Sequence, residues 1–141
     1  MTTKRTYPAA AIGVAALVGG VFAAVPAHAG GGDFTEEEGA CSGNSTWLMK
    51  AKHDTGRIEL EFEVQSNRAG QTWAVRIRDN GVLVFSGNKV TNRFERFSAD
   101  RRPENRAGTD RFVGRATNAK TGEVCRGHVA LGAAGSSGSS G

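Results

Sequence analysis

Cysteine and histidine are scarce in this chain, and apolar runs long enough to cross a bilayer are missing from all but its first 30 residues. Its 141 residues include 2 Cys and 3 His. Past His28 only His53 and His128 remain, each without a partner at ligand spacing, so neither a metal nor another cofactor is expected. Charge of neither sign dominates: 18 Lys plus Arg against 14 Asp plus Glu give a net +4 and a pI near 9.5, a mild attraction to polyanions at most. Helical periodicity is absent beyond the first 30 residues. The length allows one small domain and excludes a large enzyme.

The chain opens with Lys4 and Arg5, an uncharged run from Ala9 to Val25 and the small-x-small sequence Ala27-His28-Ala29. That is the layout of a cleaved secretory signal over residues 1–29. Gly13, Gly19 and Gly20 interrupt the run, whose 17 residues sit at the lower limit of a span, so the mature protein is expected to carry no membrane segment. Cleavage removes Lys4 and Arg5 from the 18 basic side chains and leaves 16 against 14 acidic ones. Residues 30–39, with Asp33 and Glu36-Glu37-Glu38, read as a disordered acidic leader. Residues 132–141 contain only Gly, Ala and Ser and read as a disordered tail. The folding unit is expected over 40–131, secreted or held at the cell envelope.

Two cysteines in an exported chain most simply join, which would make Cys41–Cys125 a tie between the start and the end of the domain. The competing reading takes Gly39-Ala40-Cys41-Ser42-Gly43 as a nucleophile turn. That turn needs a strand before it and a helix after it, and here a strand-like run follows.

Strict alternation dominates the rest. Ile58, Leu60, Phe62 and Val64 share one face of Arg57–Gln65, and Glu59, Glu61, Glu63 and Gln65 the other. Trp47, Met49 and Ala51 alternate with Lys50 and Lys52, and His53-Asp54-Thr55-Gly56 supplies a tight turn between the two runs. Lys and Glu rows on such a hairpin pair across strands rather than forming an acidic active site. Trp73, Val75 and Ile77 alternate with Arg76 and Arg78 up to Asp79-Asn80-Gly81, a strong hairpin signal. Val82–Phe85 returns, and a further strand lies near Phe94 and Phe97 in a register the alternation leaves open. Ser98–Gly108, with Pro103, reads as an exposed loop. Thr109–Thr117 and Val124–Leu131 finish the domain around turn material at Asn118–Gly122. About seven short antiparallel strands and no helix suit a two-sheet β-sandwich.

Over nearly all of the mature domain the chain resembles a family of small exported actinobacterial proteins, mostly uncharacterised. The residues that carry this are Cys41-Ser42-Gly43, Ser45-Thr46-Trp47, Gly56-Arg57-Ile58-Glu59, Gly70-Gln71-Thr72-Trp73, Asn80-Gly81, Asn105-Arg106-Ala107-Gly108-Thr109-Asp110 and Gly122-Glu123-Val124-Cys125-Arg126. The resemblance implies a single-disulfide sandwich of immunoglobulin or fibronectin type III appearance in an exported protein. It implies no catalytic residues.

Parity also points outward. If Trp73, Phe112 and Cys125 face the core, then Arg76, Arg78, Arg111, Arg115, Arg126 and His128 share the outer surface of one sheet. Guanidinium forks suit an anionic cell-wall polymer or an acidic protein; the bland reading is a solvated face whose Arg stems cover the pleat. Nucleic acid is disfavoured, because no aromatic residues interleave with these arginines to stack bases. The leading expectation is therefore a non-catalytic binding module. The alternatives are a secreted protease inhibitor presenting the 98–108 loop, or a small aspartic-protease-like enzyme built on Asp54-Thr55-Gly56 with Phe112-Val113-Gly114-Arg115 as support.

Overall fold

A computed structural model describes residues 33–134. The expected signal over 1–29 and most of the expected tail lie outside these residues. The described chain is all-β: β1 (Phe34–Ala40), β2 (Thr46–Asp54), β3 (Arg57–Gln65), β4 (Thr72–Asp79), β5 (Val82–Val90), β6 (Arg96–Arg101), β7 (Asp110–Asn118) and β8 (Val124–Leu131). They form two antiparallel four-stranded sheets, ordered β1-β2-β3-β6 and β5-β4-β7-β8.

The count is eight strands rather than seven because the expected acidic leader folds into β1. Thr35 turns inward and is buried, while Glu36 and Glu38 stand in solvent, Glu36 opposite Lys50. An edge strand needs backbone partners on one side only, and charges on its exposed positions guard the free edge. Three consecutive Glu therefore conceal a strand whose alternation has only one small inward residue to show for it.

Both tight hairpins form where expected. Thr55 and Gly56 take φ of 52° and 80° between β2 and β3, and Asn80 and Gly81 take 50° and 89° between β4 and β5. Positive φ at both central residues gives the turn whose twist matches the flanking strands. The Lys and Glu rows pair as expected, with Lys50 opposite Glu61 and Nζ 2.8 Å from its carboxylate, and Lys52 opposite Glu59.

The register left open near Phe94 is set by β6, which pairs Phe97 with Val64. Phe97 is buried with its ring 6.1 Å from that of Trp73, and Phe94 stays exposed in the preceding turn. The expected 98–108 loop starts later, since Ser98–Arg101 belong to β6. What remains is strapped to the start of β3: Ile58 N–H donates to the Pro103 carbonyl at 3.0 Å and Arg57 Nη1 to that of Arg102 at 2.9 Å.

The core lies between the inward rows of both sheets, with Trp73, Phe62 and Phe112 fully buried. Gly114 and Gly127 face each other across β7 and β8, and the Phe62 ring from the opposite sheet fills the notch they leave. A disulfide joins Cys41, just past β1, to Cys125 in β8. Such a bond fits an oxidising compartment.

Candidate anion-binding face

Period-two alternation sends every second residue of β4, β7 and β8 away from the core. Arg76, Arg78, Arg111, Arg115, Arg126 and His128 are all exposed on the sheet β5-β4-β7-β8, where parity placed them. The pairing arranges them further. Arg76 lies opposite Arg115, and Arg115 opposite Arg126, so three guanidinium side chains form one row across β4, β7 and β8. The next row holds Arg78, Val113 and His128. Arg111 stands apart at the end of the sheet, opposite Ala130. His128 is packed rather than free, its ring 5.5 Å from that of Trp47.

Among the described residues no carboxylate pairs with this row. Strands β4, β5, β7 and β8 contain two acids, Asp79 and Asp110, and both are fully buried. Among the described residues the ion pairs use Lys50, Arg96, Arg102 and Arg106 and none of the five arginines of the face. The outer surface of the other sheet is the opposite case, with Lys50 on Glu61 at 2.8 Å and Arg96 on Glu63 at 3.5 Å. Like charges directly opposite one another on a sheet are unfavourable, so the row is a local cost that a bound anion would remove.

Beside the row is a depression of about 340 Å³ over Ala74, bordered by Arg76, Arg115, Ser86, Asn88 and Thr117. Thr117 was legible, since it shares the parity of Arg111 and Arg115. Ser86 and Asn88 were not, because the sequence shows Val82–Phe85 only as a returning run, and the register shift opposite Ile77 and Arg78 decides which β5 residues face outward beyond it.

A larger cleft, about 930 Å³, opens between the turns near residues 42–44, 67–71 and 118–123. Many of its polar groups are already engaged in holding those turns. Glu123 accepts from Gly43 N–H and Ser45 N–H at 3.0 and 2.8 Å, Asn118 Oδ1 from Lys120 N–H and Thr121 N–H, and Ser66 Oγ donates to Gln71 Oε1.

Asp54 sits at the head of the β2–β3 turn. Arg102 Nη2 lies 2.6 Å from its carboxylate and Thr55 Oγ1 donates to it at 3.1 Å. Together they hold the Asp54 carboxyl below the usual range, Arg102 foremost. Phe112–Arg115 lie in the other sheet, on β7. His53 Nε2 is 2.7 Å from the Gly132 carbonyl. No group of three or more His, Cys, Asp or Glu side chains suited to a metal occurs among the described residues, nor any helix long and apolar enough to cross a membrane.

Sequence reasoning missed the two buried acids, although the signal was present. Asp79 extends the inward parity of Trp73, Val75 and Ile77, and Asp110 that of Phe112 and Gly114. Burial, together with the Asp110 carboxyl facing it, pushes the Asp79 carboxyl up to about 6, against the pull of Arg106, whose Nε is 3.4 Å away. A carboxyl raised from its ordinary 3.8 binds its proton more tightly folded than unfolded, so it favours the folded state at low pH. That contribution is complete below about pH 4 and is lost as pH rises through about 6. The loss is roughly 3 kcal/mol. Urea unfolding of Asp79→Asn should accordingly be flat between pH 4 and 7 and show a gain over the parent at pH 7.5. An unchanged pH slope would contradict the raised Asp79 carboxyl.

Comparison with family models, with curated proteins and with solved structures finds no match to this chain.

Proposed function

We propose that this protein is an exported, non-catalytic β-sandwich module that binds an anionic polymer of the cell envelope on the arginine face. The carrying observation is the row Arg76–Arg115–Arg126, exposed, without an ion pair among the described residues and set on four strands whose two acids are buried. A polymer suits it better than a single small anion, because the row continues over three strands on an open surface. Two further features support the reading. The chain crosses between sheets after β3, β5 and β6, as Greek-key sandwiches of the immunoglobulin and fibronectin type III kind do. The disulfide supports a location outside the cytosol, secreted or at the envelope.

The test is capture of envelope fractions by the exported chain at two salt concentrations. If three guanidinium groups displace counterions from the polymer, affinity falls roughly 20- to 40-fold between 50 and 200 mM salt. Arg76→Ala with Arg115→Ala should remove most of both the binding and its salt dependence. Salt-independent binding, or binding that survives the double substitution, would reject the face.

A further inference from the structure

The depression beside the row defines which anion fits. We infer that it is a subsite for a phosphate ester of an open-chain polyol, with the phosphate shared between Arg76 and Arg115 and the polyol hydroxyls on Ser86, Asn88 and Thr117; this rests on the anion-binding reading of the face.

The argument begins with the cations. Arg76 and Arg115 are directly opposed on neighbouring strands, which sets their backbones about 5 Å apart. Each guanidinium is a planar fork that donates and never accepts. A carboxylate keeps its acceptor lone pairs in one plane, which suits a single coplanar fork. The non-bridging oxygens of a tetrahedral phosphodiester accept from directions outside any single plane, so forks on two neighbouring strands can engage it at once. Guanidinium groups alone would bind any such anion.

The neighbours narrow the choice. Ser86 lies opposite Arg76 in β5; Asn88 and Thr117 flank Ala74 from either side. Among the described residues the side chains of Ser86, Asn88, Thr117, Arg76 and Arg115 have no hydrogen-bond or ion-pair partner. Ser86, Asn88 and Thr117 bring acceptor oxygens as well as donors, and those are what alcohol hydroxyls require and guanidinium cannot provide. Ala74 at the centre keeps the floor low, so the group can settle between Asn88 and Thr117 beside the arginine row. Among the described residues no aromatic ring borders the depression, so a stacking platform for a ring sugar is missing there and a flexible polyol is the better match. Its volume, about 340 Å³, lies at the small end of ligand sites and suits one phosphate with a short polyol. Arg126, one strand further along the row, is placed for the next phosphate of a chain running across the strands.

The experiment titrates the chain with two probes, a poly(glycerol phosphate) and inorganic polyphosphate, and compares the parent with the double substitution Ser86→Ala, Thr117→Val. Both sites are on the outer surface of the sheet, and all the arginines remain. Losing two hydrogen bonds to the polyol should weaken poly(glycerol phosphate) roughly tenfold or more, while polyphosphate, which has no hydroxyls along its chain, should bind the variant as it binds the parent. Equal affinity of parent and variant for poly(glycerol phosphate) would overturn the polyol subsite, and Arg-dependent polyphosphate binding in that case would leave the anion face standing. Failure of the parent to bind either polymer would overturn the inference along with the anion reading beneath it.

Discussion

Phe62→Ala should cost about 3–5 kcal/mol of folding stability, among the largest losses expected from any one truncation in this domain. Phe62 is fully buried on β3 and reaches across to the opposite sheet. There Gly114 on β7 and Gly127 on β8 lie face to face. A methyl group built on Gly114 would stand 2.8 Å from the Phe62 ring, and one on Gly127 the same 2.8 Å from its other side. The ring therefore occupies the space of two absent side chains, and its removal leaves a cavity that no neighbour on β7 or β8 can fill. The reverse change makes the same point. Gly114→Val should be destabilising by at least 1–3 kcal/mol through overpacking, because Phe62 and Met49 bound the site on the core side. Urea denaturation checks both, and a cost under about 1 kcal/mol for Phe62→Ala would mean that the sheets close over the gap.

Removing the disulfide should cost roughly 4 kcal/mol, a large fraction of the stability of a domain this size. Cys41 and Cys125 are 84 residues apart in sequence, so the bond constrains most of the unfolded chain. Its surroundings hold the same ends together in the folded state. Ser42 N–H donates to the Val124 carbonyl at 2.9 Å, and Val124 N–H to Ser42 Oγ at the same distance. These bonds should keep Cys41→Ser with Cys125→Ser folded in the absence of denaturant. The substituted chain is expected to unfold at clearly lower urea than the oxidised parent, and to match the parent under reductant. If reductant leaves the parent midpoint unmoved, the bond does not contribute as argued.

Much of this structure could be read from alternation alone. Arg57–Gln65 has one apolar and one polar side without interruption, Trp73, Val75 and Ile77 alternate with Arg76 and Arg78, and with parity the outward direction of Arg76, Arg78, Arg111, Arg115, Arg126 and His128 follows. The two hairpins followed from Asp-Thr-Gly and Asn-Gly. Four features escaped for different physical reasons. Strand β1 is an edge whose sole buried side chain is a Thr, so its partner β2 rather than its composition makes it a strand. The β5 bulge decouples parity from direction, which hid Ser86 and Asn88. Asp79 and Asp110 were legible by parity, but a carboxylate beside a turn reads as solvated until the facing sheet shows that water is excluded. The opposition of Arg76, Arg115 and Arg126 needed strand pairing across β4, β7 and β8, which single-strand patterns do not carry.

The most direct test of the anion face is a map of backbone amide shifts as poly(glycerol phosphate) is added to the chain at low salt. The shifts should gather on β4, β7 and β8 around Arg76, Arg115 and Arg126, spread to Ser86 and Asn88, and fade as salt is raised. Shifts centred on the outer face of β1-β2-β3-β6 or on the 102–109 strap, or none at all, would contradict it.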